Sequence, residues 1–228
     1  MLAWLAHLYT ASGAVIAMLA LAMAVAHDFR AAFLYLAVAV VVDATDGWLA
    51  RAVRVKERLP HIDGALLDNI VDYLTYVFVP AVIVWQAGLV PWALPICAAM
   101  LISSLYGFSR TDAKGHEHDP HFLGFPSYWN IATAYVYLLQ LPRAVNAAIL
   151  AGLAVLVFVP IRYAYPSRMR TLRGPTMVVG TMWGVLLAWM LWRLPAVDGP
   201  WTLVSLSFPA YYVALSLWLQ SGGRAGKV

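Results

Sequence analysis

Four aspartates stand at the ends of two strongly apolar segments, which read Asp43-Ala-Thr-Asp46-Gly47 and Gly64-Ala-Leu-Leu-Asp68-Asn-Ile-Val-Asp72. A carboxylate in or beside hydrocarbon is costly, so it rarely occurs there without a partner or a function. Spacings of three and four residues place each pair on one face of a helix. Two such faces turned toward each other predict an oxygen-rich site for hard divalent cations. The alternative is a structural cluster of helix caps and ion pairs that includes Arg51 and Arg54.

The composition indicates which elements must position these acids. The 228 residues are 63% hydrophobic and 11% charged, whereas a soluble domain carries about 25% charged residues. Segments of about 20 mostly apolar residues predict transmembrane helices. Eight such segments are present: 8–27, 31–50, 64–87, 90–109, 125–141, 144–163, 175–193 and 201–220. We therefore expect an all-α polytopic membrane protein of about eight transmembrane helices, forming a single integral membrane catalytic domain over residues 1–228. Cys97 lies in an apolar run, which predicts a buried, inert thiol.

The basic residues are sorted by loop. Twelve of the fifteen lie in alternate loops and in the C-terminal tail, and only Arg30, Arg143 and Arg193 lie on the other side. The positive-inside rule then places both termini and the large loops in the cytoplasm. The aspartates come to lie near the cytoplasmic face, so the site should be open to cytoplasmic water. This sorting explains the net charge of +4 through membrane topology, and no nucleic-acid partner is expected.

The complete pattern is Asp-x2-Asp-Gly-x2-Ala-Arg-x12-Gly-x3-Asp-x3-Asp. It resembles the signature of the CDP-alcohol phosphotransferase family, which comprises integral membrane enzymes of phospholipid synthesis. Every fixed position is present, and the twelve-residue spacer is longer than in most of the family. The long spacer, together with stretches such as His7-Leu-Tyr-Thr10-Ala-Ser12-Gly13, resembles the bacterial members that use choline as the acceptor.

The resemblance implies a helical bundle of the family type in the bacterial inner membrane. It also implies transfer of the phosphatidyl group from CDP-diacylglycerol to choline, with release of CMP. Two Mg²⁺ or Mn²⁺ ions would hold the diphosphate between Asp43, Asp46, Asp68 and Asp72. The last of these, Asp72, corresponds to the family's general base. Nucleotide and phosphate contacts are expected at Gly47, Ala50, Arg51 and Gly64.

Choline carries a quaternary ammonium, which proteins usually hold with aromatic faces. The candidates are the aromatic residues near the aspartate helix and the central loop, with one acid: Tyr73, Tyr76, Tyr106, Asp112, Tyr128 and Trp129. Each aromatic residue has an alternative role in the belt of Trp and Tyr at membrane surfaces.

Other functions remain open at this point. A relative that uses another alcohol, such as serine or inositol, carries the same acids, and a divalent-cation transporter could line its path with them. The cluster His116, Glu117, His118 and His121 has irregular spacing in a polar segment, which favours a solvated loop over a zinc site. Members of the family are commonly homodimers; no residue pattern here requires that assembly.

Overall fold

The computed structural model describes residues 1–110, 112, 121–169, 171–196 and 199–222. Within them the chain forms eleven α-helices, a π-helical segment (Tyr73–Phe78) and a pair of short strands. The helices are α1 (Leu2–Val25), α2 (Phe29–Ala52), α3 (Val55–Arg58), α4 (Gly64–Asp72), α5 (Val79–Gln86), α6 (Ala93–Ser109), α7 (Trp129–Leu139), α8 (Arg143–Leu156), α9 (Arg173–Trp192), α10 (Gly199–Ser205) and α11 (Ser207–Gly222). The strands β1 (His121–Leu123) and β2 (Arg162–Ala164) pair antiparallel, with Phe122 opposite Tyr163.

Helices α1 and α2 form an antiparallel pair. The side chain of Asp28 caps α2 by accepting a hydrogen bond from the backbone N–H of Ala31 at 2.9 Å. At the other end of the pair, the Tyr9 hydroxyl lies 2.7 Å from the Thr45 hydroxyl. Helix α1 also packs on α4 and α5, so it supports both segments that carry the aspartates.

The third predicted span is continuous from Gly64 to Gln86, but it changes helix type in the middle. Pro80 has no N–H to donate to the carbonyl of Tyr76, and its ring would collide with that carbonyl in a regular α-helix. The π-helical turns of Tyr73–Phe78 lie directly before this proline. A π-bulge is a common accommodation of an interrupted hydrogen-bond ladder, and it often occurs at functional sites.

Three predicted segments are shorter or broken, each beside a proline. Helix α8 ends at Leu156 because Val159, which precedes Pro160, is disfavoured in the helical conformation. Helix α7 begins only at Trp129, after Pro126 and Ser127, whose φ is +56°. The predicted segment 201–220 divides into α10 and α11, because the ring of Pro209 would collide with the carbonyl of Ser205.

The chain between α6 and α7 makes a tight turn at Gly124. Its φ is +82°, and a Cβ at this position would lie 2.2 Å from the carbonyl oxygen of Val157. Only glycine suits both the left-handed backbone and the close approach. The turn brings β1 against β2, a small sheet that the apolar periodicity did not predict.

The fold is that of a helical membrane protein. Among the described residues, five helical stretches are long and apolar enough to cross a membrane, the last of them comprising α10 and α11: Leu2–Val25, Phe29–Ala52, Gly64–Gln86, Arg173–Trp192 and Gly199–Ser221. Ala93–Ser109 and Arg143–Leu156 are shorter apolar helices, so the count of eight spans stays a prediction. Helix α9 exposes a stripe of large apolar side chains, Val178, Met182 and Val185. Such a stripe suits contact with lipid.

Candidate active site

The acids are presented by two neighbouring helices. Asp43 lies in the second half of α2, and Asp68 and Asp72 lie on one face of α4. Helix α4 begins where the sequence predicts, because the side chain of Asp63 accepts hydrogen bonds from Ala65 N and Leu66 N at 2.9 and 3.0 Å.

The carboxylates of Asp43, Asp68 and Asp72 converge. One oxygen from each lies within 4.8 Å of the others, and all three side chains are half-buried. Three like charges so close together repel each other unless protons or cations compensate them. A set of hard oxygen donors on two facing helices fits Mg²⁺ or Mn²⁺. The two halves of the predicted motif therefore meet.

Asp46 has a different environment. It lies one turn further along α2 than Asp43, and its residue is 7% exposed. It is not a member of the three-carboxylate group. Its role as a fourth metal ligand therefore stays a prediction.

The small residues of the motif leave room beside the acids. A Cβ on Gly47 would lie 3.2 Å from a terminal guanidinium nitrogen of Arg51, so the arginine folds back along its own helix. A Cβ on Gly64 would lie 3.2 Å from Cε1 of His7 on α1. Ala50 is half-buried on the same stretch of α2 as Arg51, whose side chain is exposed.

His7, on α1, is buried against Gly64. The residue is 8% exposed, and its Nε2 has no hydrogen-bond partner among the described residues. A buried ring nitrogen normally has a partner. The imidazole therefore offers a hydrogen-bonding atom to a ligand that enters beside the motif glycine.

Tyr76 is the predicted aromatic residue closest to the acids. Its hydroxyl donates a hydrogen bond to Oδ2 of Asp43 at 2.6 Å, and the residue is 9% exposed. Tyr76 follows Asp72 by four residues, so helix periodicity alone places it on the same face. Hydrogen bonds of this kind orient a carboxylate for metal binding.

Two other predicted aromatic residues lie against neighbouring helices. The Tyr73 hydroxyl donates to the carbonyl of Leu101 at 3.2 Å. Trp129 is fully buried, and its indole N–H donates to Oγ of Ser104 at 2.6 Å. Tyr73 thus joins the π-helical segment to α6, and Trp129 joins α7 to α6; both are packing roles.

Tyr106 and Asp112 belong to a different group of contacts. The Tyr106 ring packs on Phe158 at 4.9 Å between centroids. Arg110 donates two hydrogen bonds to the Asp112 carboxylate, at 2.8 and 2.7 Å. These bonds hold the pKa of the exposed Asp112 below its usual value. The residues of the predicted histidine cluster at 116–118 lie outside the described residues, and His121 begins β1.

Tyr128 extends the aromatic surface that starts at Tyr76. Its ring lies 6.1 Å from the Tyr76 ring, and on its other side it meets Phe122 at 6.2 Å and Tyr212 at 6.5 Å. Sequence reasoning missed Phe122 and Tyr212, because they lie far from the motif in the chain. No local spacing could reveal that α11 returns to this place.

Comparison with known proteins identifies the family of this chain. Residues 3–204 match the family described as CDP-alcohol phosphatidyltransferase, so the chain belongs to that family. A protein of Legionella pneumophila named phosphatidylcholine synthase is 40% identical, with 95% of this chain and 88% of that protein covered. Proteins of the same name from Pseudomonas aeruginosa and Borreliella burgdorferi are 38% and 35% identical; they match 95% and 78% of this chain, and 91% and 76% of their own lengths.

Proposed function

We propose that this chain makes phosphatidylcholine by transferring the phosphatidyl group of CDP-diacylglycerol to choline, with CMP as the second product. The observation that carries the proposal is the convergence of Asp43, Asp68 and Asp72 within 4.8 Å. The family gives the reaction class. The choice of choline rests on relatives named phosphatidylcholine synthase that cover nearly the whole chain.

The acids form the binding site for the diphosphate of the substrate. Four carboxylates alone would repel it, and two Mg²⁺ or Mn²⁺ ions bound there would reverse the sign and stabilise the charge that develops during transfer. Asp43, Asp46 and Asp68 hold the ions, with Asp72 at most loosely engaged. Arg51 presents a planar guanidinium to phosphate oxygens. Gly47, Ala50 and Gly64 leave room for the nucleotide.

The reaction is a displacement at phosphorus. The choline hydroxyl oxygen forms a bond to the phosphorus that bears the diacylglycerol, and the bond from that phosphorus to the oxygen of CMP breaks. Asp72 accepts the proton that the hydroxyl loses. A general base acts when it lies within reach of the proton, even when its pKa is low. The electron pair of the broken bond leaves with CMP.

The proposed setting is the inner membrane of a bacterium, with both termini and the acid cluster facing the cytoplasm. This orientation follows from the sorting of the basic residues. CDP-diacylglycerol then enters from the membrane and choline from cytoplasmic water. Residues 1–228 act as one catalytic domain, and a homodimer, the common assembly in the family, is compatible with this proposal.

The test is an acceptor assay with the purified protein. CDP-diacylglycerol is mixed with radiolabelled choline, serine or inositol, with Mn²⁺, with Mg²⁺ or with a chelator. Labelled lipid should form with choline, CMP should appear in equal amount, and both should depend on the ion. Product with serine or inositol instead would move the chain to another acceptor class. Ion uptake into vesicles without CMP release would indicate a transporter.

A further inference from the structure

A row of tyrosine rings begins at the acid cluster and leads away from it. Tyr76 contacts Asp43 through its hydroxyl, at 2.6 Å. The Tyr76 and Tyr128 rings are inclined by 46°, and the Tyr128 and Tyr212 rings by 57°. Neither contact is a face-to-face stack, and the Tyr212 ring also lies nearly parallel to the Tyr163 ring, with centroids 6.2 Å apart. The row therefore forms an aromatic wall beside the carboxylates.

The wall begins at the acids, because the Tyr76 hydroxyl contacts Asp43 and the Tyr76 ring lies 6.1 Å from the Tyr128 ring. An interaction between hydroxyl groups links Tyr128 to Tyr212. A cation beside these rings would benefit from the negative faces of the rings and from the net negative charge of the carboxylates.

A neighbouring ring already holds a cation. The guanidinium carbon of Arg168 lies 5.1 Å from the centroid of Tyr165. The Phe122 ring stacks on Tyr165 at 4.4 Å, and it also contacts Tyr128 at 6.2 Å. The aromatic surface thus continues from Tyr128 to a ring that binds a positively charged group.

Helix α11 fixes Tyr212 in this wall by binding the open edge of β2. The Tyr212 hydroxyl donates to the carbonyl of Ala164 at 2.9 Å, and Oγ of Ser216 accepts from the N–H of Ala164 at 3.0 Å. The side-chain oxygen of Gln220 accepts from the N–H of Arg162 at 3.1 Å. Backbone groups of an edge strand need such partners when they are buried. Tyr212 is therefore held on both sides, by β2 and by Tyr128.

This helix lies beyond the part of the chain that matches the family. The family match ends at residue 204, whereas α11 begins at Ser207. The Legionella protein, in contrast, matches 95% of this chain. So high a coverage means that its match includes part of the segment after residue 204. The alignment with the Legionella protein therefore reaches into this segment, whereas the family match does not.

We propose that Tyr128 and Tyr212, joined to the acids through Tyr76, bind the trimethylammonium group of the acceptor alcohol. The inference rests on the proposed function. Only two carbons separate the hydroxyl of choline from its nitrogen, so a hydroxyl delivered to Asp72 leaves the cation beside the adjoining rings. The trimethylammonium has no N–H to donate, so aromatic faces recognise it better than hydrogen-bond acceptors do. Of these residues, Tyr76 and Tyr128 lie within the family match and Tyr212 lies beyond it.

The experiment measures the KM for choline and the KM for CDP-diacylglycerol separately in the purified full-length protein. Tyr128→Leu and Tyr212→Leu should each raise the KM for choline about 3- to 30-fold, the range expected for one lost cation–ring contact. The KM for CDP-diacylglycerol should change less than about twofold, a change too small to indicate a lost contact. Tyr128→Phe and Tyr212→Phe keep the ring and should restore most of the affinity for choline.

Tyr211 provides the matched control. It is the adjacent tyrosine on α11, and its hydroxyl lies 2.7 Å from that of Thr176 on α9 instead of facing the wall. Tyr211→Leu removes the same side chain from the same helix and should leave the KM for choline unchanged. A rise equal to that of Tyr212→Leu would mean that α11 acts through packing, and it would overturn the proposal.

A second measurement needs no variant. The alcohol 3,3-dimethylbutan-1-ol has the shape of choline without the charge, so it should compete with choline poorly in the wild-type protein. Competition as strong as that of an equally sized quaternary ammonium would overturn the cation–ring proposal. If the wild-type protein makes no lipid from choline at all, the proposed function fails. If it makes that lipid while the leucine variants keep a normal KM for choline, only this inference fails.

Discussion

At the scale of residues, the central fact is that carboxylates from two helices meet in a half-buried place. Asp43, Asp68 and Asp72 would repel one another there without positive charge. The spacing of the motif predicted this meeting because each pair occupies one helical face, and residues 43–72 form a single local unit. Asp46 follows the same periodicity, yet its carboxylate is outside the group of three. Helix periodicity predicts which face of the helix a residue occupies, but it does not predict the side-chain rotamer that places the carboxylate.

Removing a ligand should abolish turnover. Asp43→Ala, Asp46→Ala and Asp68→Ala are each expected to lose CMP release in the acceptor assay, because the remaining oxygens cannot hold the ions against the diphosphate. Asp63→Asn is the control, since asparagine also caps a helix and Asp63 caps α4 from outside the cluster. Normal activity in any of the three alanine variants would remove that aspartate from the metal site.

Asp72 should behave differently from the other acids. Asp72→Asn keeps an oxygen in the site but cannot accept the proton of the choline hydroxyl. We expect nearly normal binding of CDP-diacylglycerol, measured by equilibrium binding of the labelled lipid, with kcat lowered about 100-fold or more. Turnover at the wild-type rate would show that another group is the base.

The Tyr76 hydroxyl should tune the affinity for the ion. Tyr76→Phe keeps the ring and removes the hydrogen bond to Asp43, so the carboxylate loses its fixed orientation. Loss of such a supporting contact typically weakens metal binding about 10- to 100-fold. The concentration of Mn²⁺ for half-maximal activity should rise accordingly, and excess Mn²⁺ should recover much of the rate. An unchanged Mn²⁺ titration with lowered kcat would contradict this role.

At the scale of elements, the apolar runs predicted where helices lie, while prolines and glycines decided how each one ends. Pro80, Pro160 and Pro209 explain the π-helical segment, the early end of α8 and the break before α11. Their positions are visible in the sequence, but their effects compete with packing and hydrophobicity. The pairing of β1 with β2 depends on the turn at Gly124 and on contacts between distant segments. It therefore could not be read from either strand alone.

The contact between α1 and α4 leaves no room for a methyl group. A Cβ on Gly13 would lie 2.5 Å from Cγ1 of Val71, the neighbour of Asp72. Gly13→Ala should destabilise the protein by about 1–3 kcal/mol, as overpacking does, and lower activity by displacing α4. Thermal unfolding in detergent measures the first effect and the acceptor assay the second.

Two further variants test the cause. Gly152→Ala on α8 meets nothing within 4 Å, so it should leave stability unchanged or slightly raised, because alanine favours helix. Gly13→Ala combined with Val71→Ala removes the collision and should recover stability relative to Gly13→Ala alone. Failure of that recovery would assign the damage to something other than the α1–α4 contact.

At the scale of the whole molecule, the sorted charges and the packed helices agree. The Arg30 guanidinium at the start of α2 lies 4.7 Å from the ring of Trp192 at the end of α9. The sorting of basic residues predicts that these two helix ends lie on the same side of the membrane, opposite the acids. The sequence could predict this arrangement because charge sorting acts on the whole chain. It could not predict that Tyr212 would meet Tyr128, since that contact depends on how the last helix packs.

The orientation leads to a direct experiment. Green fluorescent protein fused after Val228 should fluoresce, because an even number of spans returns the C-terminus to the cytoplasm. Alkaline phosphatase fused after Gln140, in the loop before Arg143, should be active because that loop lies on the opposite side. An active phosphatase at the C-terminus would require an odd number of spans and would contradict the predicted topology.

The docking of α11 onto the edge of β2 has a consequence for how such genes diversify. The acids proposed to activate the lipid nucleotide are encoded within codons 43–72, whereas Tyr212 is encoded far downstream, after the residues that match the family. If Tyr212 binds the acceptor as proposed, mutations confined to those last codons would change the affinity for choline and leave the acids of the transfer step intact.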